Sequence, residues 1–378
     1  MIKKNKITSS TYIIYFLLVA VFVTVRMLSG FGVLSGLSNE WSIVINSLIQ
    51  VAMFALPVFL FSLINKQKVR STLKFFQYKK ITGKAWIIAI GIGLVAYILN
   101  LYIASFFDSI IGAFGYREAA STPIEGKLPF TWLLLNTFTT ALLPALCEET
   151  AHRGMLLKGS TPMGYSKAIW ISALLFGLLH MNIEQFFYAT ILGAFMGYLT
   201  VLSDSIYPAM VVHFINNFMG VYLTFSMSRN LPIGKAFYMV VNFMSQGSLL
   251  SYVFIIALLV FLVMTMIILI KKLFRETAGK AFQTLQAEMV KDLMKQEYIE
   301  KVAKSKRELT GKEENPQSVS PETIYLDKNV NLGLMTNIDR EVLNGNPYKR
   351  DVLTTVFYTL SLVLSGACTI FTLIWGII

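Results

Sequence analysis

Leu142-Leu143-Pro144-Ala145-Leu146-Cys147-Glu148-Glu149-Thr150-Ala151-His152-Arg153-Gly154 sets two carboxylates, an imidazole and a guanidinium directly behind an apolar run. The helical period places Glu149 and Arg153 one turn apart on one face, where they can pair. Glu148 is turned about 100° away and shares its own face with His152, also one turn on. Ionisable groups at membrane depth cost about 2.5 to 3.5 kcal/mol each on insertion scales unless they pair or face a water-filled cavity, so they mark a functional site. Adjacent carboxylates in a low dielectric cannot both ionise comfortably. An arginine that keeps one charged leaves the other suited to act as a general base. The expectation is that one glutamate does chemistry and its neighbour holds geometry. Pro144 interrupts the hydrogen-bond ladder about a turn earlier, which either opens space for water or is a tolerated bend. Cys147 points about 100° away from Glu148 and is read as packing.

The surroundings place this stretch in a bilayer. The chain is 55% hydrophobic and 14% charged, with a mean hydropathy of +0.61, values that a water-soluble domain of 378 residues would struggle to keep soluble. Spans able to cross the roughly 30 Å hydrocarbon layer are read near 11–33, 43–64, 85–107, 130–157, 168–183, 187–203, 207–226, 249–270 and 353–376. The stretches 168–183 and 187–203 are short, and are read as tilted, broken or sheltered by neighbours. Residues 236–247 either extend the eighth span or lie in the interface. The expected fold is an all-α polytopic membrane helix bundle of eight or nine transmembrane helices. The first span follows Met1 to Lys6 with no small-residue cleavage site before Arg26 and Met27, and reads as uncleaved. Cys147 and Cys368 lie in hydrophobic segments without metal or redox spacing, so no disulfide framework is expected.

The formal net charge of +12 reports topology and anionic-lipid contact rather than nucleic-acid binding. Lys3, Lys4 and Lys6 precede the first span, and the loop after the second carries Lys66, Lys68, Arg70, Lys74, Lys79, Lys80 and Lys84. The loop from Ser35 to Ser42 has no basic residue. A cytoplasmic N-terminus puts all of the strong basic clusters inside, including Lys158, Lys167, Lys271, Lys272 and Arg275, and Glu148 and Glu149 in the cytoplasmic half of the fourth span. Residues 272–350 form a cytoplasmic polar tail before the last span. Ala281, Leu285, Met289, Leu293 and Met294 recur there near helical spacing, as in an amphipathic or simply solvated helix, and Gly311 to Pro321 has linker composition. The chain thus divides into N-terminal spans (1–129), a core (130–226), a further span (227–271), the tail (272–350) and a C-terminal anchor (351–378).

Two more segments carry polar groups. Phe176-Gly177-Leu178-Leu179-His180 ends a short span on an imidazole, and His213-Phe214-Ile215-Asn216-Asn217 puts His213 and Asn217 on one face. Taken in order, Glu148-Glu149-x-x-x-Arg153, Phe176-x-x-x-His180 and His213-x-x-x-Asn217 resemble the three motifs of the type II CAAX prenyl endopeptidases, also called the CPBP family of intramembrane proteases. The context is similar too: Gly154, Asn182, Gln185, the small residues Gly193 and Gly197, and Ser205-Ile206-Tyr207-Pro208. The resemblance covers about residues 130 to 220. His152 departs from it, standing where the family usually has a bulky aromatic or other apolar residue. It is read as a packing substitute, the alternative being an extra ligand pair with Glu148.

The resemblance implies a hydrolase in which Glu148 and His180 polarise a water, His213 and Asn217 donate to the developing oxyanion, and Glu149 with Arg153 supports them. Metal-free catalysis is favoured. Glu148, His180 and His213 would also make a three-ligand zinc set, although no His-Glu-x-x-His element is present. The expected partners are the lipid bilayer and a membrane-associated peptide or protein substrate, prenylated or not, and the expected location is the plasma membrane of a bacterium. Two rival classes stay open: a scaffold whose polar residues only fasten helices together, and an ion-coupled transporter, against which the lack of paired broken spans counts.

Overall fold

The computed structural model describes residues 2–30, 39–117, 126–277 and 352–377, and among them every regular element is helical. The helices are α1 (Ile2–Gly30), α2 (Asn39–Ile64), α3 (Val69–Phe75), α4 (Gly83–Ala113) and α5 (Phe130–Met163). They continue as α6 (Tyr165–Leu179), α7 (Ile183–Ser203), α8 (Tyr207–Ser228), α9 (Pro232–Met244), α10 (Leu249–Glu276) and α11 (Val352–Ile377). The chain is an all-α polytopic bundle. The amphipathic tail and linker expected between 272 and 350 fall almost wholly outside the described residues.

Eight of these helices are long and apolar enough to cross a membrane: α1, α2, α4, α5, α7, α8, α10 and α11. The ninth expected span is instead the short α6, whose 15 residues reach only about 22 Å. Local chemistry ends it. Met181 takes a left-handed φ of +50°, and the Asn182 side chain accepts from the Glu184 amide at 2.9 Å, so a new helix starts at Ile183. The following helix gains four residues over the expected 187–203 and becomes a full 21-residue crossing. Residues 236–247 do not extend the next span. Gly247 at φ +66° and the Ser248 cap on the Ser251 amide separate α9 from α10.

α5 is continuous but irregular. It passes through π-helical stretches at Thr137–Leu142 and Thr150–Leu157, one before and one after the glutamate pair. Pro144 has no N–H to offer the carbonyl of Thr140 four residues earlier. That carbonyl accepts instead from the Asn217 side chain of α8 at 3.1 Å.

Two apolar clusters flank α5 and α6. The first joins Tyr12, Tyr15 and Val19 of α1, Met53 and Phe61 of α2, Cys147, Ala151 and Met155 of α5, and Leu175 of α6. The second joins Ile92 and Ala96 of α4, Phe176 of α6, Leu192 and Met196 of α7, Val212 of α8 and Met266 of α10. The neighbours Leu175 and Phe176 thus point into different clusters, and the charged turn of α5 lies at the seam. α11 closes the first cluster through a Ser9–Thr354 hydroxyl contact at 3.2 Å and the Tyr12–Tyr358 and Phe16–Phe357 ring pairs at 5.7 and 5.5 Å. α10 forms the rim of the bundle, with Leu249, Leu250, Ile256 and Phe261 exposed.

Candidate active site

The entry to α8 is held from outside the helix. After α3, the Gln77 carbonyl accepts the Ile206 amide at 3.0 Å, its side chain donates to Asp204 at 3.0 Å, and Lys79 pairs with the same carboxylate. Ser205 Oγ donates to the Lys79 carbonyl at 2.7 Å. Pro208 then sits in the first turn of α8, where a missing N–H is harmless. This clamp fixes where His213 appears one and a half turns later.

Glu149 and Arg153 form the expected pair, at 2.8 Å, with both side chains fully buried. A buried charge needs more than one partner, and Arg153 finds three. Besides Glu149, its Nη2 donates to the Gly193 carbonyl at 2.9 Å and its guanidinium lies 4.4 Å over the Phe176 ring. Gly193 permits this approach: a Cβ there would stand 3.0 Å from Arg153 Nη2 and 3.1 Å from Phe176. Glu149 Oε1 also meets His213 Nδ1 at 2.8 Å. An oxygen already taking an arginine N–H is an acceptor, so His213 donates from Nδ1.

Phe176 is the hub. Its ring lies edge-on to His152, His180 and His213, the chain's three histidines, with centroids at 5.0, 5.0 and 5.6 Å. His180, at the C-terminal end of α6, has Nδ1 2.9 Å from the Phe176 carbonyl. A carbonyl only accepts, so Nδ1 carries the proton and Nε2 of the neutral ring keeps its lone pair. Glu148 is close enough to His180 for their charges to interact. Its carboxylate also lies 3.9 Å from His213 Nε2 and accepts from Gln50 Nε2 of α2 at 3.0 Å.

His152 does not turn its ring onto the Glu148 side chain. Its Nδ1 bonds the Glu148 main-chain carbonyl at 2.8 Å and its Nε2 meets the Tyr15 hydroxyl at 3.1 Å, in a fully buried, T-shaped contact with that ring. Asn217, a turn beyond His213, donates to Thr140 O and accepts from Asn216, which in turn accepts from Asn100 of α4. A chain of three carboxamides therefore runs from α4 through α8 to the bend in α5. Gln50 and Tyr15 are site neighbours that motif spacing misses. A glutamine inside the apolar run of α2 was the available signal for the first.

Glu148, His180 and His213 have the right atoms for a zinc ligand set, but among the described residues no three histidine, cysteine or acidic side chains are gathered closely enough to hold one metal ion.

Residues 130–219 match the family model described as type II CAAX prenyl endopeptidase Rce1-like. This stretch is of that family. It contains Glu148, Glu149, Arg153, His180, His213 and Asn217, all of the residues singled out by the motifs. No curated protein and no solved structure matches the chain. An Rce1-like stretch, similar to a protease family, in a bundle with eight apolar crossings makes this an integral, multi-pass membrane protein.

Proposed function

We propose that the protein is an intramembrane endopeptidase that hydrolyses a peptide bond of a membrane-associated or lipidated peptide without a covalent intermediate or a metal. The observation that carries this is the convergence of three groups: the Glu148 carboxylate 3.9 Å from His213 Nε2, and His213 and His180 both edge-on to the Phe176 ring, with the Nδ1–Phe176 carbonyl bond leaving His180 Nε2 as an acceptor. Two acceptors hold one water by its two hydrogens and leave an oxygen lone pair for attack. As the new C–O bond forms, Glu148 takes the water proton. It then delivers that proton to the amine as the C–N bond breaks, giving a carboxylic acid and an amine, which part as carboxylate and ammonium once the acid proton passes to the amine.

The oxyanion needs donors. Because His213 already donates from Nδ1 to Glu149, it donates from Nε2 only as an imidazolium, a charge that Glu148 and Glu149 flank. Asn217 commits one side-chain hydrogen to Thr140 and keeps the other for the oxyanion. Each such donor contributes about 2.7 to 4 kcal/mol to the transition state. A cytoplasmic N-terminus would place Glu148 in the inner half of the bilayer, reached from that face or laterally from lipid.

The test is turnover of a quenched fluorescent peptide by purified full-length protein in liposomes, with farnesylated and unmodified versions side by side. Glu148→Ala is expected to abolish cleavage of the preferred version and Cys147→Ala to leave it intact. Cleavage surviving in Glu148→Ala, or lost in Cys147→Ala, overturns the assignment, and a scaffold would cleave neither peptide.

A further inference from the structure

Gln50 is a polar side chain within the apolar run of α2, and it lies 98 positions upstream of Glu148, outside the family-matched stretch. A carboxylate accepts and cannot donate, so the amide nitrogen of Gln50 is the end that must face Glu148, as it does at 3.0 Å. That leaves the amide oxygen turned elsewhere. It is buried and has no hydrogen-bond partner. A glutamine serving only to fasten α2 to α5 would satisfy both ends, since an unmatched buried acceptor is costly and adds nothing to helix association.

Glu148 has two oxygens: Gln50 occupies Oε1, and Oε2 faces His213 Nε2 at 3.9 Å. A donor on one oxygen stops the carboxylate from rotating and points the other toward the space between the histidines. Neither His152, tied to the Glu148 main chain and Tyr15, nor Arg153, tied to Glu149 and Gly193, supplies that restraint. We propose that Gln50 is a positioning residue of the active site, holding Glu148 through its amide N–H so that the other carboxylate oxygen stays turned toward His213. The family-matched stretch then does not complete the site by itself; α2 supplies the missing contact. This rests on Glu148 being the base.

Three variants of the full-length protein in liposomes test it with the same farnesylated quenched peptide. Gln50→Leu keeps the volume and removes the contact. Its kcat is expected to fall about tenfold or more at a KM near the parent value. Other charged or titratable groups around Glu148 are Tyr15 of α1, Cys147, Glu149 and Arg153 of α5, His180 of α6 and His213 of α8, none of which Gln50→Leu alters. Gln50→Glu puts an acceptor where Glu148 takes a donor, so its kcat is expected to fall at least as far, with KM again near the parent value. Thermal unfolding of each variant gives the folded fraction. A Gln50→Leu protein whose kcat falls only with that fraction makes Gln50 a packing residue and overturns the proposal. Glu148→Ala is run in parallel. If it still cleaves, the reading of the base fails; if it is dead while Gln50→Leu matches the parent, only the role of Gln50 fails.

Discussion

At the residue scale, the two adjacent glutamates have separate surroundings and should fail in different ways. Glu149 is sealed with Arg153, and both side chains are fully buried. Glu149→Gln strands a buried guanidinium, so a loss of about 3–5 kcal/mol in stability is expected, read as a large drop in thermal midpoint in detergent. Glu148→Gln should abolish turnover with little change in that midpoint. His152 gives the complementary case. Its ring nitrogens go to a main-chain carbonyl and to Tyr15, and its edge packs on Phe176. His152→Phe is therefore expected to keep turnover while losing about 0.5–1.5 kcal/mol of stability; loss of turnover in a folded His152→Phe protein would mean that the imidazole takes part in the chemistry. The Glu149–Arg153 pair was legible because helical spacing alone brings the two side chains together. Tyr15 and Gln50 were not, because no period relates positions 137 and 98 residues apart.

At the scale of the element, the decisive feature is the bend in α5. The proline was visible in the sequence, and so was the prospect of a break in the ladder. The form of the break, a π-helical stretch whose orphaned carbonyl is satisfied from α8, depends on a partner that only the fold brings near. α6 differs, because it is ended locally. Between Leu179 and Glu184 only Met181 and Ile183 are apolar, enough to extend the expected span to 183, and the left-handed Met181 with the Asn182 cap ends the helix before them. Pro144→Ala returns an N–H at a position where the Thr140 carbonyl can accept it. Stability is expected to rise, since proline inside a helix costs about 3 kcal/mol. Asn217 loses its anchor, and misplacing an oxyanion donor should lower kcat by about tenfold or more. Thermal unfolding and kcat measured on the same preparation check both halves, and a stabilised Pro144→Ala enzyme with unchanged kcat would show that the Thr140 anchor does not serve catalysis.

At the scale of the whole molecule, the last helix does more than its position in the chain suggests. From the sequence α11 read as an anchor for the tail, because hydropathy reports that a segment is buried in lipid but not which helices it meets. In the bundle it packs along α1, through Thr354, Phe357 and Tyr358, and α1 in turn delivers Tyr15 to His152. Its far end reaches the other side of the site: Thr372 Oγ1 accepts from the amide of Ile183, the first residue of α7, three positions after His180. Removal of residues 352–378 is therefore expected to lower the thermal midpoint and to reduce kcat together, whereas an anchor serving only the tail would leave both unchanged. Supplying 352–378 as a separate co-expressed segment should restore turnover, because the contacts are made between side chains and do not need the connecting chain. Co-purification of the two pieces, with activity returning in proportion to the α11 segment bound, is the measurement that separates a helix belonging to the catalytic bundle from one that merely follows it.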